Sequence, residues 1–195
     1  MKNPLVWFYC LSIPSAIALT AAFGVLFLIL RRRLRKMRFW RLITAVLFLG
    51  WLAVIAIATL ADRTPGTIAA DPIYIPFHSY RALFAGESTE ILRGNLMNVL
   101  LFFPAGLLAW DLFPETWNPH KKLLCSTAVF ALLSFTIELC QYLFALGQAE
   151  ADDVLHNTLG ALSGSLTAVL SLRRHPGSAA AGTSRKGWRG LRRRR

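Results

Sequence analysis

The chain has 195 residues, is 55% hydrophobic with a mean hydropathy of +0.47, and carries a formal net charge of +12. A soluble domain of this size does not hold several uninterrupted apolar runs of about twenty residues, so the composition identifies an integral membrane protein. The charge argues against a nucleic-acid binder, because it is confined to segments between the apolar runs.

The first run, Leu11–Leu30, has Arg31, Arg32, Arg33, Arg35 and Lys36 after it and only Lys2 before it. That order is wrong for a cleaved secretory signal and predicts a retained helix with its N-terminus outside. The second run, Leu42–Leu60, leads into the longest loop, Ala61 to Arg93. There DPIYIPFHSYRALF mixes proline with Tyr74, Phe77 and Tyr80. This predicts an aromatic belt or re-entrant cap, with His78 and Arg81 above the outer leaflet. Three further runs follow, Leu96–Phe113, Leu123–Phe144 and Val154–Leu172. Each run spans about 27 Å or more at ~1.5 Å per residue, close to the ~30 Å hydrocarbon core. Residues 175–195, rich in Arg, Gly, Ser and Ala, cannot bury a core and are expected to be a disordered cytoplasmic tail.

Seven basic residues lie between Arg31 and Arg41, two at Lys121–Lys122 and nine from Arg173 to Arg195. These segments alternate with loops holding Asp62, Asp71, Glu87, Glu90, Glu150, Asp152 and Asp153. By the positive-inside rule the pattern predicts an all-α, polytopic membrane bundle of about five transmembrane helices, N-terminus outside and C-terminus inside. Anionic lipid headgroups are the expected contact at the cytoplasmic face, with no nucleic-acid partner. Residues 1–60 form two N-terminal helices with a basic loop, 61–174 a loop and three helices, and 175–195 the tail. Cys10, Cys125 and Cys140 have no metal-ligand spacing and read as buried small hydrophobes.

Glu138 is the most informative residue, as the only charge in the apolar run Leu123–Leu146. An intramembrane carboxylate is costly and marks a functional site by default. Gln141 shares its face one turn on, and Ser134 lies one turn below. Topology places Asn95, Asn98, Glu138, Gln141, Asp152, Asp153, His156 and Asn157 at one depth near the outer surface, with Asp62 and Arg63 ending the second helix there. Asp153, Asn157, Gly160 and Gly164 follow steps of four, three and four and share a face of the last helix, where the glycines admit a neighbour closely. The candidate binding residues are therefore Asn98, Glu138, Gln141, Asp153 and Asn157, with His78 and Arg81 as additional candidates. Against this stand bland readings: Asn98, Gln141 and Asn157 as helix glue, Asp152 as an N-cap or solvated acid, His156 as a structural histidine.

Three segments also carry a resemblance. NxxNVLLFFPAGLL (Asn95 to Leu108), IELCQ (Ile137 to Gln141) and DDVLHNTLGALSG (Asp152 to Gly164), preceded by IPFHSY, resemble the ordered signatures of the VanZ-like family. The match covers about residues 72 to 172. It implies a small multi-pass protein of the bacterial plasma membrane, in a family linked to tolerance of the glycopeptide teicoplanin. The positions it carries over are Asn98, Pro104, Gly106, Glu138, Gln141, Asp153, Asn157 and Gly160. The chain departs from the pattern at Gly147–Glu150, where the family commonly has a basic residue after a glycine. Arg63, Arg81 or Arg93 is then the candidate cation.

Two classes of function are expected to compete. One is an outer-leaflet site that binds or modifies a lipid, a lipid-linked envelope precursor or a lipophilic glycopeptide. The other is a membrane enzyme acting on a lipid or peptide, with Glu138 or Asp153 as general acid or base, and a divalent cation held by the same two carboxylates as an optional cofactor. A transporter is disfavoured by the absence of a repeat and by polar groups at one surface instead of the midplane.

Overall fold

The computed structural model describes residues 11–61, 73, 75–86, 90–146 and 148–173. Its helices are α1 (Ile13–Leu34), α2 (Trp40–Ala56, continued by a π-helical turn, Ile57–Ala61), the short α3 (His78–Phe84), α4 (Glu90–Leu112), α5 (Pro119–Leu143) and α6 (Ala151–Arg173). One isolated parallel bridge pairs Ile73 with Glu150. The starts of α1 and α5 follow from local sequence. Ser12 Oγ accepts from the Ser15 N–H at 3.4 Å, and Asn118 Oδ1 from the Lys121 N–H at 2.8 Å, each with proline in the first two helical positions.

Among the described residues, four helices are long and apolar enough to cross a membrane by length and composition: Ile13–Leu34, Trp40–Ala61, Leu92–Leu112 and Pro119–Leu143. The fifth expected run, Val154–Leu172, falls in α6, which is as long as these helices but less apolar. That helix has 23 residues but is rich in polar and small side chains, including Asp152, Asp153, His156, Asn157, Ser163 and Gly164. It packs chiefly on α4 and α5, where close approach matters more than apolar bulk. One correction concerns Arg31, read as a loop charge: α1 continues to Leu34 and Arg31 is buried within it. The loop expected from Ala61 to Arg93 contains α3 and the first turn of α4. The C-terminal tail lies outside the described residues.

Helix α4 is the axis of the bundle. Its apolar window is 67% buried, against 22%, 22% and 28% for α1, α2 and α5. Glycines let α6 lie against it almost backbone to backbone. A Cβ on Gly164 would stand 2.0 Å from the Phe103 carbonyl oxygen, and one on Gly106 would stand 1.9 Å from that of Ala161. Beside this contact, Ser165 Oγ donates to the Gly106 carbonyl at 3.0 Å and shares a 2.8 Å hydrogen bond with Ser126 Oγ of α5. Pro104 interrupts the α4 hydrogen-bond ladder, and one turn away the Trp51 indole donates to the Leu101 carbonyl at 2.8 Å. Phe102, Phe130, Leu101 and Ile55 fill the space between α2, α4 and α5.

The outward faces are the reverse. Leu19, Val25, Leu42, Val46, Leu49, Leu124, Leu132 and Leu143 are exposed large apolar residues on α1, α2 and α5. A continuous belt of this kind is costly in water and suits lipid. Helices α1 and α4 run parallel and are pinned at both ends: Arg31 meets Asp111 at one, and Arg93 donates to the Leu11 carbonyl at the other.

Candidate functional site

The end opposite the basic turn collects the polar residues. On α5, Ser134, Glu138 and Gln141 are buried along one face at helical spacing. Glu138 Oε2 accepts the Glu150 backbone N–H at 3.0 Å, tying α5 to the segment that enters α6. That segment is held from its other side by Ile73, whose N–H donates to the Ala149 carbonyl and whose carbonyl accepts from Ala151, both at 2.9 Å. Gln141 donates to the Thr59 carbonyl at 3.0 Å, satisfying one of the end carbonyls of the π-helical turn. Asn157 donates to Ser134 Oγ at 2.8 Å. Asn98 is also buried on α4. Among the described residues, Gln141 Oε1 and Asn157 Oδ1 are buried acceptors that no donor meets.

A second network lies beside the first. Phe77, the residue before α3, has a left-handed backbone (φ 63°), and no side chain of its own segment caps the helix. Asp152 of α6 takes that role from a distance. Its carboxylate accepts from the Phe77 N–H at 2.5 Å, from the Ser79 N–H at 2.8 Å and from Ser79 Oγ. Asn95 of α4 donates to Ser79 Oγ at 2.8 Å. Burial pushes the Asp152 carboxyl up, but hydrogen bonds from the Ser79 side chain and backbone and the Phe77 backbone outweigh it, holding the group below its ordinary value. His156 Nδ1 lies 2.5 Å from the Asp152 carbonyl, which only accepts, so in the neutral ring Nδ1 carries the proton and Nε2 accepts from Tyr80 at 2.8 Å. Ser79, His156 and Asp152 are thus neighbours without forming a nucleophile–base pair: the serine faces the carboxylate and the histidine faces a phenol.

Beside Glu138 opens a cleft of about 410 Å³, whose walls include Ile73, Pro76, Phe135, Leu139, Val154 and Leu155. Glu138 and Glu150 are its acidic members, and among the described residues no Lys or Arg lines it. Its volume falls within the usual range for small-molecule sites, ~300–1,000 Å³. It can seat an apolar group and present hydrogen-bond acceptors to it.

The sequence-derived candidates separate in space. Glu138, Gln141 and Asn157 are tied into the bundle at this end, with Asn98 buried nearby on the central helix. Asp153 is half-buried, whereas its neighbour Asp152 is the buried organiser. His78 and Arg81 sit exposed on α3. Asp62, Arg63, Asp71, Tyr74 and Glu87 lie outside the described residues. Among the described residues no three or more His, Cys, Asp or Glu side chains are placed to hold a metal ion. Sequence reasoning underrated Asp152, His156, Ser79 and Asn95; the four-residue step from Asp152 to His156, which puts both on one face, was the signal for the first two.

The VanZ/LLP1 family model matches residues 39–172. Protein VanZ of Enterococcus faecium is 35% identical over 77 residues, covering 40% of this chain and 45% of that protein. The match therefore spans less than half the length of that relative. No solved structure matches the chain.

Proposed function

The chain belongs to the VanZ-like family, and from that membership we propose that the cleft beside Glu138 binds a lipophilic molecule of the cell envelope at the outer leaflet. The occupant class that suits it best is an acyl-bearing peptide or glycopeptide of the teicoplanin type, and the consequence is envelope tolerance. The observation that carries this reading is the placing of a buried carboxylate, Glu138, on the wall of a mainly apolar cleft. The carboxylates of Glu138 and Glu150 on its wall favour N–H or O–H donors. The unmet acceptors of Gln141 and Asn157 on the adjoining helices strengthen the preference for a donor. The apolar walls suit an acyl chain. The basic turn at the opposite end supports an orientation with the cleft outside.

The test compares wild type with Glu138→Gln and Asn157→Ala in cells challenged with a lipophilic glycopeptide and, separately, with one lacking a lipid tail. Protection against the lipophilic drug should fall in both variants at equal levels of membrane-inserted protein. If both variants protect as wild type does, the cleft is not the site.

A further inference from the structure

The opposite end of the bundle holds a second cavity, of about 440 Å³, between the α1–α2 turn, the end of α4 and the start of α5. Four cations line it, Arg35, Arg38, Arg41 and Lys122, against two acids, Asp111 and Glu115. Asp111 is already committed: Arg31 grips it through Nε and Nη2, and the Trp40 indole donates to it at 3.0 Å. That leaves one free acid to face four cations.

Lys122 is the telling member. It is more than nine-tenths buried, and among the described residues no carboxylate lies within ion-pair distance of it. Its ammonium stands 5.4 Å from the centre of the Trp110 ring, a contact that leaves its hydrogen-bond donors unused. Arg41 spends one nitrogen on the Leu112 carbonyl at 3.0 Å and keeps the rest of its donor fork. Trp40, Trp110 and Trp117 wall the same space, as indoles do at headgroup depth. Next to it Phe39, Leu42 and Val46 are exposed apolar residues running away along α2. A charged cavity thus opens beside a lipid-facing surface.

We propose that this cavity is a specific site for a phosphate-bearing group, supplied by the headgroup of an anionic phospholipid whose chains lie along α2. The phosphodiester meets Lys122 and the arginines of the turn, and the indoles pack against the glycerol backbone. Basic pockets between membrane helices recognise anionic headgroups by this chemistry. The site is independent of the outer cleft, which carries the opposite charge.

The test uses the full chain reconstituted in phosphatidylcholine bilayers containing a minor fraction of brominated phosphatidylglycerol, with brominated phosphatidylcholine as control. Tryptophan quenching should favour the anionic lipid in wild type. Lys122→Met, and Arg38→Gln at an exposed position that folding does not need, should each lower that preference roughly five- to tenfold. Arg32→Gln, outside the cavity, should leave it unchanged. Equal quenching by both lipids in wild type, or an unchanged preference in both Lys122→Met and Arg38→Gln, overturns the site. Displacement of the lipid by low-millimolar inorganic phosphate overturns the lipid source in favour of a soluble phosphate compound.

Discussion

The Asp152 carboxylate of α6 accepts the Ser79 backbone N–H at 2.8 Å and so caps α3 across 73 residues of sequence. A seven-residue helix is too short to hold its shape alone, and this one has no local cap. The loop over the cleft is therefore shaped by the helix beneath it.

Replacing Asp152 with Ala should detach α3 and lower stability by about 2–4 kcal/mol, since three donors lose a charged acceptor. Thermal unfolding in detergent measures the loss. Because the folded carboxyl titrates below its ordinary value, its contribution is present above the unfolded pKa and is lost as pH falls through the lower folded one. Wild type should weaken in acid below about pH 4, and Asp152→Asn should show a shallower acid slope.

Arg31 and Asp111 form a buried ion pair, 2.6 Å at its closest, with side-chain exposures of 3% and 6%. Either single alanine substitution should cost about 3–5 kcal/mol, because it strands the partner charge. The double variant Arg31→Met, Asp111→Leu should recover much of that loss. A double variant no more stable than the singles would contradict the stranded-charge account.

Gly164→Ala should fail to yield folded, membrane-inserted protein, because the added carbon meets the Phe103 carbonyl oxygen at 2.0 Å. Gly50→Ala is the matched control, with nothing within 4 Å of its Cβ. It should fold as wild type or gain up to about 1 kcal/mol from helix propensity. Yield and monodispersity after solubilisation separate the two.

Val154→Trp should fill the cleft beside Glu138 from its wall and abolish glycopeptide protection without lowering the melting temperature. Leu124→Trp, on an exposed face of α5 away from the cleft, should keep both. Equal protection by the two variants would show that the cleft volume is not used.

Much of the site was legible because its residues violate their surroundings. Glu138, Gln141 and Asn157 stand out against apolar neighbours, and all three are buried and hydrogen-bonded at one end. Asp111 violates its run in the same way but was not singled out, because its partner Arg31 lies 80 residues away. Asp152 and Asp153 are chemically identical in sequence. Helical arithmetic favoured Asp153 through Asn157 and Gly160, while the structure buries Asp152 because α3 lies on the other side of α6.

Hydropathy is a property of the chain in order, so the sequence by itself determined the membrane class, the positions of the long helices, the segregation of charge and the family. Spacing along one helix further determined which residues share a face, as with Gly160 and Gly164 against α4. Partnerships were decided only by the tertiary structure: Glu138 with the Glu150 backbone, Asp152 with Ser79, Arg31 with Asp111, Gln141 with Thr59. Apart from the first, these pairs lie 73 to 82 residues apart. Their energies depend on which helices become neighbours and how closely glycine lets them approach, and no periodicity within a single helix encodes that choice.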